Sequence, residues 1–140
     1  MLGQFMHTVD SKNRMFVPAK FREELGEKFM LFKSIRDKYI KMMSLSEWEE
    51  YIAPMRKDLD RKDLEKVFRY LNRTAVEVSP DSQGRIVIPQ ALIDHANIVK
   101  NAVVIGCGDY AEIWSEEEDL IANEAFDEDV MRAELEAYGL

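Results

Sequence analysis

The chain has 140 residues, 46% of them hydrophobic, enough for one domain or two small interleaved halves around a real core. A single cysteine, Cys107, excludes an internal disulfide and points to a reducing cytoplasm, and no apolar run approaches the roughly 20 residues of a membrane helix. The net charge of −8 sits at the C-terminal end, where Ser115 to Leu140 holds ten acids and one Arg; the remainder is near neutral and its N-terminal edge is basic.

In chain order, the first predicted unit is strand, tight turn and strand around DSKNRMFVP, residues 10–18. The same pattern returns as DSQGRIVIP at 81–89, an offset of 71 residues. Asp10 and Asp81 lead the turns, Arg14 and Arg85 close them, and Pro18 and Pro89 end the strands. Asn13 and Gly84 hold the matching turn position, and these two residue types enter left-handed backbone most cheaply. Three apolar residues follow each Arg, a pattern that predicts strands covered on both faces.

A helix of about two turns follows each proline, over AKFREEL and QALIDHA, with Gly26 and Asn97 as left-handed stops. Two apolar strands come next in each half, KFMLFKS and KYIKMMS in the first, NAVVIGC and YAEIWS in the second. Ser46 and Ser115 are the expected N-caps of the acidic helix starts that follow. Between the halves, Pro54 and KDLDRKD interrupt a mostly helical stretch whose core stripe is Leu64, Val67, Phe68 and Leu71. The acidic end keeps an apolar stripe of Leu120, Ile121, Phe126, Val130 and Leu135.

The expected fold is therefore α+β, with two pseudo-symmetric β-β-α-β-β-α halves. Residues 1–53 form the first half, 54–73 a helical connector, 74–115 the second half and 116–140 an acidic helix or tail. Neither half can cover its own strands, so the economical arrangement interleaves them about a pseudo-two-fold axis into one swapped-hairpin β-barrel. Trp48 and Trp114 are expected at related places at the end of each half's last strand.

An Arg at a hairpin tip suits DNA, because a two-stranded ribbon fits the major groove and a guanidinium fork matches the two acceptors of guanine. Arg14 is the candidate base contact, Lys12, Lys20 and Arg22 the candidate phosphate contacts, and Asp10 the residue that holds the turn. The same residues also fit a plain turn cap with a surface ion pair, and for Arg85 both roles stay open. Enzyme chemistry finds less support. The repeated Asp-Ser resembles the two halves of an aspartic protease, but Lys12 and Gln83 follow where that signature continues with Gly. His7, His95 and Cys107 are too few and too poorly spaced for zinc; His95 reads as structural and Cys107 as a small core residue. No enzyme activity, cofactor, metal or small-molecule substrate is expected.

Taken together, HTVDSKNRMFVPAKFREELG, VSPDSQGRIVIPQAL and VVIGCGDYAEIWS resemble the MraZ family of bacterial transcriptional regulators, tandem versions of the AbrB- and MazE-type swapped-hairpin domain. The resemblance extends from the start of the chain through Trp114. It implies a cytoplasmic, nucleoid-associated protein that binds double-stranded DNA at direct repeats in its own promoter and regulates the division and cell-wall gene cluster. It also implies an octameric or dodecameric homo-oligomeric ring, no membrane partner, and Asp10, Arg14, Asp81 and Arg85 as the family's motif residues. Two departures bear on the site. Asn13 replaces the usual Gly, and Gln83 stands where a basic residue would strengthen a phosphate contact, which weights the expected DNA role toward the first turn. The alternative is an antitoxin-like or protein-interaction module of the same barrel class, its acidic tail wrapping a partner.

Overall fold

A computed structural model describes all 140 residues. The first half contains β1 (Leu2–Thr8), β2 (Arg14–Phe16), α1 (Ala19–Leu25), β3 (Phe29–Lys33), β4 (Tyr39–Ser44) and α2 (Leu45–Asp58). After α3 (Arg61–Asn72) the order repeats as β5 (Val76–Val78), β6 (Arg85–Val87), α4 (Gln90–Ala96), β7 (Asn101–Cys107), β8 (Ala111–Ser115) and α5 (Glu116–Glu124). A last helix, α6 (Glu128–Ala137), has no counterpart. Three elements of the second half, β6, α4 and α5, each begin 71 residues after β2, α1 and α2.

The architecture is α+β, with an antiparallel six-stranded sheet in the order β1-β7-β8-β4-β3-β5 and a separate ribbon of β2 and β6. The halves exchange strands: β1 pairs with β7, and β5 pairs with β3. Strand β4 meets its counterpart β8 at the centre, and β2 meets β6 in the ribbon. The strands flanking each turn do not form a ladder with each other, because their partners lie in the other half. The six-stranded sheet keeps β1 and β5 as free edges, so strand pairing does not close it into one barrel.

One core of 20 buried residues draws on both halves, including the offset pairs Met15 with Ile86, Phe21 with Leu92, and Met42 with Ile113. On this face of the sheet each half thus supplies what the other's strands need to leave water. On the other side of the sheet, α2 packs Trp48 and Ile52 against Phe32 and Met43. A third cluster joins Tyr39, Val103 and Trp114.

Several local expectations need correction. Helix α2 runs through Pro54 to Asp58, without the expected interruption at that proline. Its N-cap is Ser44, which accepts from the Glu47 amide at 3.2 Å, because the strand ends there; Ser46 lies inside the helix. Ser115 caps α5 as expected, at 2.9 Å from the Glu118 amide. Asn97 is left-handed, but Gly26, at φ 83° and ψ −171°, takes an extended mirror conformation, so the two helix stops differ. Trp48 lies in the first turns of α2 and Trp114 in β8, so they are not equivalent; the repeat places Asp119 opposite Trp48. Cys107 ends an outer segment of β7 and is exposed, not a core residue. The expected tail stripe, from Leu120 to Leu135, is also exposed, and α6 has no buried residue.

Candidate nucleic-acid interface

Each turn is built around one carboxylate. Asp10 Oδ1 accepts from the amides of Lys12 and Arg14, both at 2.9 Å, and Oδ2 accepts from Arg14 Nε at 2.7 Å. Asp81 repeats the set with Gln83, Arg85 and Arg85 Nε, all at 2.9 Å. The amide of the closing Arg is the largest of the influences that hold each carboxyl below the ordinary Asp range. Backbone bonds close the loop: Asn13 N donates to Asp10 O at 3.0 Å, and Gly84 N to Asp81 O at 2.9 Å. Asn13 and Gly84 take φ of 60° and 83°, as an Asp-led turn ending in left-handed backbone requires.

The two turns are tied together. Val17 N donates to Gly84 O at 3.0 Å, and Ile88 N donates to Asn13 O at 2.8 Å. Between these bonds, Arg14 pairs with Val87, Met15 with Ile86, and Phe16 with Arg85. Met15 and Ile86 face the core, whereas Phe16 is 47% and Val87 59% exposed. The outer face of the ribbon is thus two arginines and two apolar side chains, arranged by a pseudo-two-fold. Each Arg engages its Asp through Nε, and neither places an Nη atom in a bond within the chain, so the terminal edge of each guanidinium is free.

Phe16 and Val87 are the site residues that sequence reasoning missed. The apolar runs suggested strands covered on both faces, but MFV and IVI bury only their outer members, with the middle residue facing out. Period-two alternation was the available signal.

The expected basic residues do not all gather at the first turn. Lys12 is exposed at its tip, and Lys20 and Arg22 are exposed on α1. Helix α1, however, lies beside the second turn: a Cβ on Gly84 would run into the Arg22 guanidinium. In exchange, α4 braces the first turn, with Asn13 Nδ2 donating to Gln90 Oε1 at 3.0 Å. The second turn lacks a basic residue at Gln83 but receives Arg22 from the other half. No group of three or more His, Cys, Asp or Glu side chains is placed to hold a metal ion.

Comparison with known proteins matches this duplicated arrangement. The family model described as "MraZ protein, putative antitoxin-like" matches the chain twice, over residues 1–69 and 71–133. The "Transcriptional regulator MraZ" of Thermoanaerobacter sp. (strain X514) is 45% identical over 118 residues, which is 84% of this chain and 82% of that protein. The protein of the same name from Clostridium tetani (strain Massachusetts / E88) is 44% identical over 117 residues, 83% of this chain and 82% of its own length. That of Leuconostoc mesenteroides subsp. mesenteroides is 38% identical over 117 residues, 83% of this chain and 81% of its own. With its motif written twice and its turns locked together across the repeat, the chain belongs to the MraZ family.

Proposed function

We propose that this protein is a transcriptional regulator that reads double-stranded DNA with the outer face of the β2–β6 ribbon. The observation that carries this reading is one antiparallel ribbon that holds exposed Phe16 and Val87 beside partly exposed Arg14 and Arg85. Arg14 and Arg85 present free guanidinium edges to guanine, each fork being worth about 1–3 kcal/mol of discrimination. Phe16 and Val87 suit the methyl group of thymine, the apolar feature of the major groove. Lys12, Lys20 and Arg22 neutralise phosphates and make binding salt-dependent. Asp10 and Asp81 orient the arginines and hold the turns. Against the unequal weighting expected from the sequence, the repeated hydrogen bonds favour equal roles for Arg14 and Arg85.

A three-residue ribbon is roughly 10 Å long and spans only about three base pairs. Useful specificity then calls for several copies on repeated sites, where linkage raises the effective concentration of each further contact. This supports the reading, drawn from family resemblance, of a homo-oligomeric ring on direct repeats in its own promoter within the division and cell-wall cluster. The two halves, 1–53 and 74–115, act in it as one strand-exchanged reading unit, with 54–73 and 116–140 outside it. A cytoplasmic, nucleoid-associated location follows from the same reading. The test is a gel shift on DNA upstream of the gene, with Phe16→Ser and Val87→Ser beside wild type. A specific wild-type shift weakened in both variants is expected; no specific shift by wild type overturns the reading.

A further inference from the structure

Two surfaces outside the ribbon are apolar, uncovered and opposite in charge. The first is a groove of about 390 Å³ between α2 and α3, lined by Ile35, Tyr51, Met55, Val67, Tyr70 and Leu71, with Lys66 at its rim. Lys33 stands 4.4 Å from the centre of the Tyr70 ring, adding a second cation to that edge. The stretch 56–73 that carries most of this wall has seven Lys or Arg against four Asp or Glu. The second surface is α6. Met131 and Leu135 of α6, with Phe126 before it and Leu140 after it, share one side, flanked by Glu128, Arg132 and Glu136. Residues 116–140 carry ten acids and one Arg. No residue beyond Leu71 lines the groove, so the chain does not seat its own tail there.

We infer that the apolar side of α6 docks in the α2–α3 groove of a second copy of this chain, its flanking glutamates meeting the basic rim. An amphipathic helix in an apolar groove is a recurrent mode of association, and here its charge complements the rim. Helix and groove are different surfaces, so the contact is head-to-tail, and repetition builds a ring if the rotation closes. The inference rests on the multi-copy part of the proposed function and assigns the surfaces that join the copies.

The test compares full-length wild type with Leu135→Glu on α6 and Val67→Glu in the groove, by sedimentation velocity over a concentration series. Wild type should assemble beyond a dimer, and each variant, with an unchanged melting profile, should associate at least tenfold more weakly. Mixing the two variants leaves one intact helix and one intact groove per pair, so heterodimers should form and stop there. Wild type that stays monomeric overturns the inference, as do variants that assemble like wild type or a mixture without heterodimers. Titration of a single-site duplex separates the readings: folded monomeric variants that keep Arg14-dependent binding leave the ribbon intact, whereas an assembling wild type with no specific DNA binding defeats the ribbon alone.

Discussion

Arg22 of the first half lies against Gly84 of the second half's turn, where a Cβ would meet its guanidinium. Gly84 also takes a φ of 83°. The two facts constrain the position differently. Asn tolerates the backbone, as Asn13 does in the other turn at φ 60°, but not the space. Gly84→Asn should therefore fold, lose about 1 kcal/mol of stability, and push Arg22 aside. Its DNA affinity should fall to that of Arg22→Ala, and the double variant should lose nothing further. A thermal melt with DNA titration of the three variants measures both effects.

The arginines contribute more than charge in this account. Arg14→Lys and Arg85→Lys keep the positive charge but lose both the planar fork and the Nε bond to the Asp. Each should reduce discrimination between specific and scrambled duplex by about 1–3 kcal/mol while leaving the salt slope of binding nearly unchanged. Lys12→Ala should do the reverse, lowering affinity for both duplexes and reducing the slope by about 1. Competition titrations at several salt concentrations separate the two patterns.

Acid should act on this fold with opposite signs at different carboxylates. Asp10 and Asp81 have depressed pKa values, so their contribution is full above the ordinary Asp range and disappears as pH falls through the folded values. Asp119 has the opposite shift: burial raises its pKa, and the one side-chain donor that reaches it, Asn123 Nδ2, lies at a long 3.4 Å. Its charged form opposes folding at neutral pH, and that penalty fades as pH falls through the raised value. Asp10→Asn and Asp81→Asn should lower the melting temperature at pH 7 and have much less effect near pH 3. Asp119→Asn should raise it at pH 7 and lose that advantage in acid. Melts of the three variants across this range check all three signs.

The shared core predicts one unfolding transition. Phe21→Ala in α1 and Leu92→Ala in α4 empty equivalent places in the same cluster, at about 3–5 and 2–5 kcal/mol. Either variant should destabilise the whole chain, with calorimetric and van't Hoff enthalpies equal. Two resolved transitions in the calorimeter would mean the halves fold independently.

Much of this was legible in the repeat. The turns, the proline stops, the short helices and the buried partners Met15 and Ile86 follow from residue types at fixed spacing. What escaped was set by pairing between halves. A helix beside its own turn and a helix beside the other turn have the same local sequence, so nothing local placed Arg22 at Gly84. The outward turn of Phe16 and Val87 was hidden because a three-residue apolar run fits both full burial and alternation. Trp48 misled because an aromatic near the end of a strand looks the same whether it lies in the strand or in the next helix.

The central claim is that one pseudo-symmetric ribbon reads DNA with both turns. It is tested most directly by a salt-titrated mobility shift on the upstream DNA with wild type, Arg14→Ala and Arg85→Ala. Wild type should bind specifically, and the two variants should lose affinity within a few-fold of each other, each about 5- to 150-fold. Wild-type affinity in Arg85→Ala, beside a large loss in Arg14→Ala, would contradict it.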